Sequence, residues 1–324
     1  MAIVPEGIFK FIMTPRTLSK NIALLACIVA AHACLSSLNA QSGYHESVPA
    51  PTYSEISYGD GPRNVFDFWQ ADSDSPTPLA LVIHGGGWNG GSKELLHKFV
   101  DTQKLLDSGI SVAAINYRLI KHSRDLEPPV RGPLYDAARA LQFLRYHAEK
   151  YNIDKTRVAA TGGSAGACTS LWLAYHDDLS DPNSADPILR ESTRLSCVAA
   201  LRAQTSLDPM QMKKWIPNVT YGAHAFGLES FDEFLAERKK ILPWINEYSP
   251  YSLLTADDPA TYLHYTIAPG TGKNKGDYTH SASFGTGLLE SLQEHNIPAE
   301  LNYPGAPNVT HNNATDYLIA TLSK

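Results

Sequence analysis

Val158-Ala-Ala-Thr-Gly-Gly-Ser-Ala-Gly-Ala-Cys168 is the stretch on which the reading of this chain turns. A short apolar run leads into a serine flanked by glycines, and a helix-forming segment follows. Gly162, Ser164 and Gly166 have the spacing of a sharp strand-to-helix turn, where a strained backbone exposes the serine hydroxyl and larger neighbours would collide. Ser164 would then stand at a helix N-terminus, which favours developing negative charge. Taken alone, the pattern fits equally a tight turn whose serine caps a helix.

Working outward, Pro78-Leu-Ala-Leu-Val-Ile-His-Gly-Gly-Gly-Trp88 weighs against that plainer reading. Its apolar run suits a strand buried on both faces, and it ends in three consecutive glycines. Such glycines let backbone N–H groups point at an oxyanion where Cβ atoms would obstruct them. The triplet could be only a flexible loop, but its place after a buried strand and upstream of the serine turn makes a chance pairing improbable.

His84-Gly85-Gly86-Gly87-Trp88, Asn116-Tyr117-Arg118-Leu119 and Ile153-Asp154 through Gly162-Gly163-Ser164-Ala165-Gly166 resemble the α/β-hydrolase superfamily. Within it they are similar to the HGGG-type esterases, among them hormone-sensitive-lipase-like enzymes and feruloyl and acetyl-xylan esterases. The resemblance covers nearly all of the chain after its leader. It implies an α/β fold with a mostly parallel central sheet flanked by helices and a cap insertion, a catalytic serine, and no cofactor. It is specific for the fold and not for the substrate.

Composition agrees with one catalytic domain. The chain has 324 residues, 43% of them hydrophobic and 19% charged, enough for one sizeable core. A formal charge of −6 without a dense Lys/Arg run argues against a nucleic-acid partner. Lys10, Arg16 and Lys20 precede an apolar run from Ile22 to about Leu35 that is short for a membrane span. Residues 1–40 therefore read as a secretory signal peptide cut after Ala40, leaving no stable membrane insertion, and the mass of the mature N-terminus would show whether Gln41 comes first. Lipid attachment at Cys27 and a retained anchor are the competing readings. Cys168 and Cys197 remain in the mature chain as small buried residues, and no Cys/His spacing indicates a metal.

Taken in order, residues 53–58 and 64–69 read as an edge hairpin, and Lys93–Asp107 as one helix ending at Gly109. A strand at 110–115, a helix over 133–150 and the serine turn follow. Another strand spans 197–203, residues 208–250 form an aromatic-rich cap, and a strand covers 261–265. A helix over 281–295, a strand over 299–303 and a closing helix over 313–322 complete the chain. Strands alternating with helices place the ligand site at the carboxyl ends of the parallel strands. Trp215, Tyr221, Phe226, Phe231, Phe234 and Trp244 of the cap serve either a satellite core or the substrate.

A serine hydroxyl needs a histidine base oriented by a carboxylate, and in this fold the order along the chain is serine, acid, histidine. His311 follows the last strand, where the family carries its histidine, and is taken as the base. His264 lies within a strand, His280 and His295 flank or occupy the penultimate helix as solvated surface, and His224 belongs to the cap. Related esterases place the acid soon after the penultimate strand. Here that turn is a longer glycine- and lysine-containing loop whose first carboxylate is Asp277, taken as the acid with Asp208 as runner-up; the plain alternative is that Asp277 caps the following helix.

The triad expected is therefore Ser164, Asp277 and His311, with the N–H groups of Gly86, Gly87 and Ala165 forming the oxyanion hole and His84 bracing the glycine loop. The activity implied is hydrolysis of small-acyl or acylated-carbohydrate esters through an acyl-enzyme. A serine exopeptidase on the same fold, or a non-catalytic binding protein that keeps the scaffold, are the alternatives. Neither ester specificity nor oligomeric state is readable from the residues.

Overall fold

A computed structural model describes residues 43–270 and 278–324. The leader and Asp277 lie outside those residues. Eight strands form one sheet: β1 (Tyr53–Ser57), β2 (Val65–Trp69), β3 (Thr77–Ile83), β4 (Ser111–Ile115), β5 (Ile153–Gly163), β6 (Cys197–Leu201), β7 (Ala260–His264) and β8 (Ala299–Asn302). They lie in the order β1-β2-β4-β3-β5-β6-β7-β8. The β1–β2 hairpin is antiparallel, β2 pairs antiparallel with β4, and the remaining strands run parallel. This is the doubly covered parallel sheet that the alternation of apolar strands and helices calls for.

Strand β3 shows why both faces must be covered. Leu79, Leu81 and Ile83 enter one hydrophobic cluster while Ala80 and Val82 enter the other, and all five are buried. Successive side chains point to opposite faces, so a strand apolar at every position needs a helical layer on each side. Ten α-helices are described: α1 (Thr102–Asp107), α2 (Arg131–Tyr146), α3 (Ala148–Tyr151), α4 (Ala165–Tyr175), α5 (Pro209–Trp215), α6 (Phe231–Ala236), α7 (Leu242–Tyr248), α8 (Pro250–Leu253), α9 (Ser283–Glu294) and α10 (Ala314–Leu322). The α2, α4 and α9 helices contribute to the first cluster, whereas α1 and α10 contribute to the second.

Two expected helices are each broken. Lys93–Asp107 divides into a 3-10 turn, Lys93–Lys98, and α1, because Asp101 accepts from the Lys104 N–H and starts a new helix. The 133–150 stretch divides at His147 into α2 and α3. The break before α1 has a purpose in packing: a Cβ at Gly163 would lie 2.3 Å from Phe99 Cε1, so the Phe99 ring rests directly on the backbone beside Ser164.

Lys93 is nearly fully buried, with Asp67 at 3.1 Å, Glu94 at 2.8 Å and Glu55 also paired to it. Burial pulls its pKa down, but the bonds to Glu55 and Glu94 and the charge of Asp67 win and raise it. The hairpin is thereby tied to the chain just past the glycine triplet. Cys168 and Cys197 are both buried free thiols. Among the described residues, no helix is long and apolar enough to cross a membrane.

The 208–250 segment carries α5, a 3-10 turn at Ala223–Phe226, α6 and α7. Most of its aromatic residues pack among themselves. Phe226 lies 5.3 Å and Phe231 6.0 Å from Phe234, centroid to centroid. Trp215 lies edge-on to Tyr251 and Phe284. The satellite-core reading therefore holds for these residues, and Tyr221 is the exception described below.

Candidate active site

Ser164 occupies the turn between β5 and α4 with φ 54° and ψ −121°, a conformation that costs a non-glycine residue energy and turns its side chain outward. The flanking glycines are sterically required. A Cβ at Gly162 or at Gly166 would sit 2.1 Å from the Ile83 carbonyl oxygen, so β3 and the start of α4 approach each other through space no side chain can occupy.

The glycine triplet meets this turn, as the two sequence stretches require. A Cβ at Gly85 would fall 2.5 Å from the Gly163 carbonyl and 3.4 Å from Ser164 Cβ. Gly86 and Gly87 adopt φ +111° and +60°, in the left-handed region open to glycine. The Gly86 carbonyl accepts the N–H groups of Asn89 and Gly90, which fixes the loop as a tight turn. The N–H groups of Gly86, Gly87 and Ala165 have no acceptor among the described residues, and Ala165 begins α4.

His84 braces the loop from behind. It is 1% exposed, stacks on Tyr117 at 4.2 Å, and its backbone carbonyl accepts the Tyr117 hydroxyl. Its Nδ1 donates to the Gly85 carbonyl at 2.8 Å, and its Nε2 accepts from Arg63 at 3.2 Å. Burial, aided by the neighbouring Arg63 charge, lowers its pKa to about 4 from an ordinary value of 6.5, so the ring is neutral. The unfolded chain binds this proton more readily than the folded one. The associated stability is therefore complete above about pH 6.5 and is lost as the pH falls towards 4. The expected size is about 3 kcal/mol. His84→Asn keeps a donor for Gly85 without a titrating ring, so its urea-unfolding stability should fall less steeply over that range; equal slopes would refute the assignment.

The histidine against Ser164 is His280. Its Nε2 lies 2.9 Å from Ser164 Oγ, at the end of a 3-10 turn, Tyr278–His280, in the connection from β7 to α9. Gln204, buried after β6, donates to the neighbouring Thr279 carbonyl at 2.6 Å. Ser281 bridges to Ile267, and the Ala282 N–H donates to the Ile267 carbonyl at 2.9 Å. These contacts tie the turn to the chain leaving β6 and β7.

This corrects the expectation for His311. That residue does follow β8, but its Nδ1 faces Glu300 at 2.7 Å and its ring packs edge-on to Tyr317. Glu300 also accepts the backbone N–H groups of Thr310 and His311. His311 therefore pins its own loop back to the strand it has just left. Asp208 is engaged elsewhere too: it caps α5 through the Met210 N–H and makes two bonds to Arg238, at 2.7 and 2.6 Å. Those bonds outweigh its desolvation and lower its pKa. Asp277, three residues before His280, lies outside the described residues.

Comparison with known proteins finds esterases among the chain's relatives and fold neighbours. The BD-FAE family model matches residues 67–269. A probable carboxylic ester hydrolase LipM of Mycobacterium tuberculosis is 30% identical over 171 residues, which are 49% of this chain and 37% of that protein. A kynurenine formamidase of Debaryomyces hansenii is 33% identical over 128 residues, 39% of this chain and 41% of that protein. The chain thus spans less than half the length of these curated relatives. Among solved structures, an acetyl ester-xyloside bifunctional hydrolase from Caldicellulosiruptor lactoaceticus shares the fold with a TM-score of 0.58 at 22% identity, covering 81% of this chain and 88% of that one. An esterase from Thermogutta terrifontis does so with a TM-score of 0.58 at 20% identity, covering 82% and 87%. The family match spans more than half of the chain and includes the glycine triplet and the serine turn, and on that basis the chain belongs to the BD-FAE family of α/β-hydrolase esterases.

Proposed function

We propose that the chain is a carboxylic ester hydrolase in which Ser164 is the nucleophile and His280 its general base. The observation that carries this reading is the 2.9 Å contact between His280 Nε2 and Ser164 Oγ at a strained turn beside three N–H groups that have no acceptor among the described residues. His280 takes the Ser164 proton as Oγ adds to the ester carbonyl, and the resulting oxyanion is held by the N–H groups of Gly86, Gly87 and Ala165. Collapse expels the alcohol, which receives the proton from His280. Water activated by the same ring then releases the acid and regenerates the serine. The carboxylate assigned to orient His280 is Asp277, on the ground that it precedes that histidine by three residues and is the first acid after β7.

The substrates proposed are short-chain acyl esters, including those on carbohydrate. Support comes from the company the chain keeps: a carbohydrate esterase from gut microbiota with a TM-score of 0.60, and a stretch 33% identical over 134 residues in an endo-1,4-beta-xylanase B of Butyrivibrio fibrisolvens. The test is covalent. A fluorophosphonate probe should label the folded wild-type chain once, at Ser164, and should not label Ser164→Ala; a folded wild type that stays unlabelled would remove the basis for hydrolysis.

A further inference from the structure

Most aromatic side chains of the 208–250 segment fill its own core, but the chain near Gly222 turns back over the glycine triplet. Gly222 has φ +114°, and a Cβ there would meet Phe234 at 3.0 Å and Met212 at 3.4 Å, so this tight bend requires glycine. The bend sets Tyr221 and His224 on the same side, with their rings edge to face at 4.8 Å. Val130 donates its N–H to the Ala225 carbonyl at 3.0 Å and anchors the bend to the body of the domain.

Both side chains converge on Gly87. His224 Nε2 lies 3.1 Å from the Gly87 carbonyl, and a Cβ on Gly87 would be 3.6 Å from His224 Nε2 and 3.6 Å from the Tyr221 hydroxyl. Burial lowers the pKa of His224, so the neutral ring donates from Nε2 to that carbonyl. The Tyr221 hydroxyl is buried and makes no hydrogen bond among the described residues. A buried hydroxyl without a partner costs stability, so its presence calls for an explanation. Burial, with Cys168 and Tyr117 facing it, also raises its pKa, so it stays a proton-bearing donor at any working pH. Cys168 lies one helical turn along α4 from Ser164, and its N–H donates to the Ser164 carbonyl at 2.9 Å.

We propose that Tyr221 is a catalytic residue whose hydroxyl donates a further hydrogen bond to the substrate oxygen as it becomes an oxyanion, and that His224 is a positioning residue that fixes the Gly87 peptide. This rests on the reading of Ser164 as nucleophile. No proton changes hands: the hydroxyl keeps its hydrogen and finds its partner only when the carbonyl oxygen acquires charge. A donor paired in the transition state and unpaired in the free enzyme raises kcat rather than tightening ground-state binding.

The test compares the full-length wild type, Ser164→Ala, Tyr221→Phe, His224→Ala and His224→Gln on p-nitrophenyl acetate. Tyr221→Phe is expected to lower kcat by about 10²-fold, as loss of one such donor does. Its KM should stay within about threefold, its Tm should be equal or higher because the unpaired hydroxyl is gone, and its pH–rate midpoint should not move. His224→Ala should lower kcat, and His224→Gln, which retains a donor for Gly87, should restore most of it. If wild-type turnover is lost in Ser164→Ala yet Tyr221→Phe keeps kcat within twofold, the hydroxyl only packs and this proposal falls alone. A shifted pH midpoint in Tyr221→Phe would also overturn it, because it would assign the residue to proton transfer. Wild-type turnover that survives in Ser164→Ala would instead remove the underlying reading of the site.

Discussion

His280→Ala should reduce kcat for a small acyl ester by about 10⁶-fold, as loss of a triad histidine does elsewhere, while KM changes little. The ring 2.9 Å from Ser164 Oγ is the group placed to accept its proton, and without it the hydroxyl attacks only at the rate of a neutral alcohol. His311→Ala is the decisive control. That substitution removes the bond to Glu300 between two partly exposed side chains, leaving the carboxylate with the N–H groups of Thr310 and His311. It should cost about 1 kcal/mol of stability and leave kcat within a factor of about three. Steady-state rates and thermal midpoints of the two variants, measured side by side, settle which histidine is the base. The reverse outcome, an inert His311→Ala and an active His280→Ala, would show that the β7–α9 connection carries no chemistry.

Gly162→Ala should be as damaging to the fold as His280→Ala is to the rate. The added methyl would meet the Ile83 carbonyl oxygen at 2.1 Å, and that atom belongs to a central strand paired on both sides. No flexible side chain can yield, so either β3 moves from its ladder with β5 or the turn at Ser164 opens. A destabilisation of at least about 3 kcal/mol follows, at the upper end for overpacked cores. For a chain of this size that lowers Tm by roughly 5 °C or more. Gly90→Ala, where a Cβ meets nothing within 4 Å, is the matched control and should melt within about 1 °C of wild type. Equal melting of the two variants would mean that the close approach of β3 to the turn does not bear on stability.

The parts of the site legible in the sequence are those where the backbone itself dictates composition. Gly85, Gly162 and Gly166 are forced by carbonyls that a Cβ would strike, so the serine turn and the glycine triplet can be recognised, and their meeting inferred, before any coordinates. His84 as a brace was legible for a related reason: a ring beside a crowded loop has little room to do anything else. His311 was expected beside Ser164, and the structure puts His280 there, because a histidine's position depends on the route of a loop rather than on local periodicity. His311 and His280 both satisfy the order of serine, acid, then histidine. What separates them is Glu300, which stands opposite the loop after β8 and captures His311, and a carboxylate inside a strand gave no sign of that pairing. The signal that favoured His280 was available in Asp277-Tyr-Thr-His280, an acid and a histidine together just ahead of a helix. The broken helix at Lys93–Asp107 was also foreshadowed, since Asp101-Thr102 is a helix start lying within an apolar pattern that looked continuous.

The clamp between Glu300 and His311 bears on how the polypeptide can be rebuilt. Every group proposed to act on the ester lies upstream of α9, so on that proposal β8, the loop it closes and α10 are masonry. Shortened versions of the 303–310 loop should leave turnover intact provided the strand keeps its grip on that loop. Transplanting the reactive centre onto another sheet would call for only a handful of short insertions, none of them from the tail.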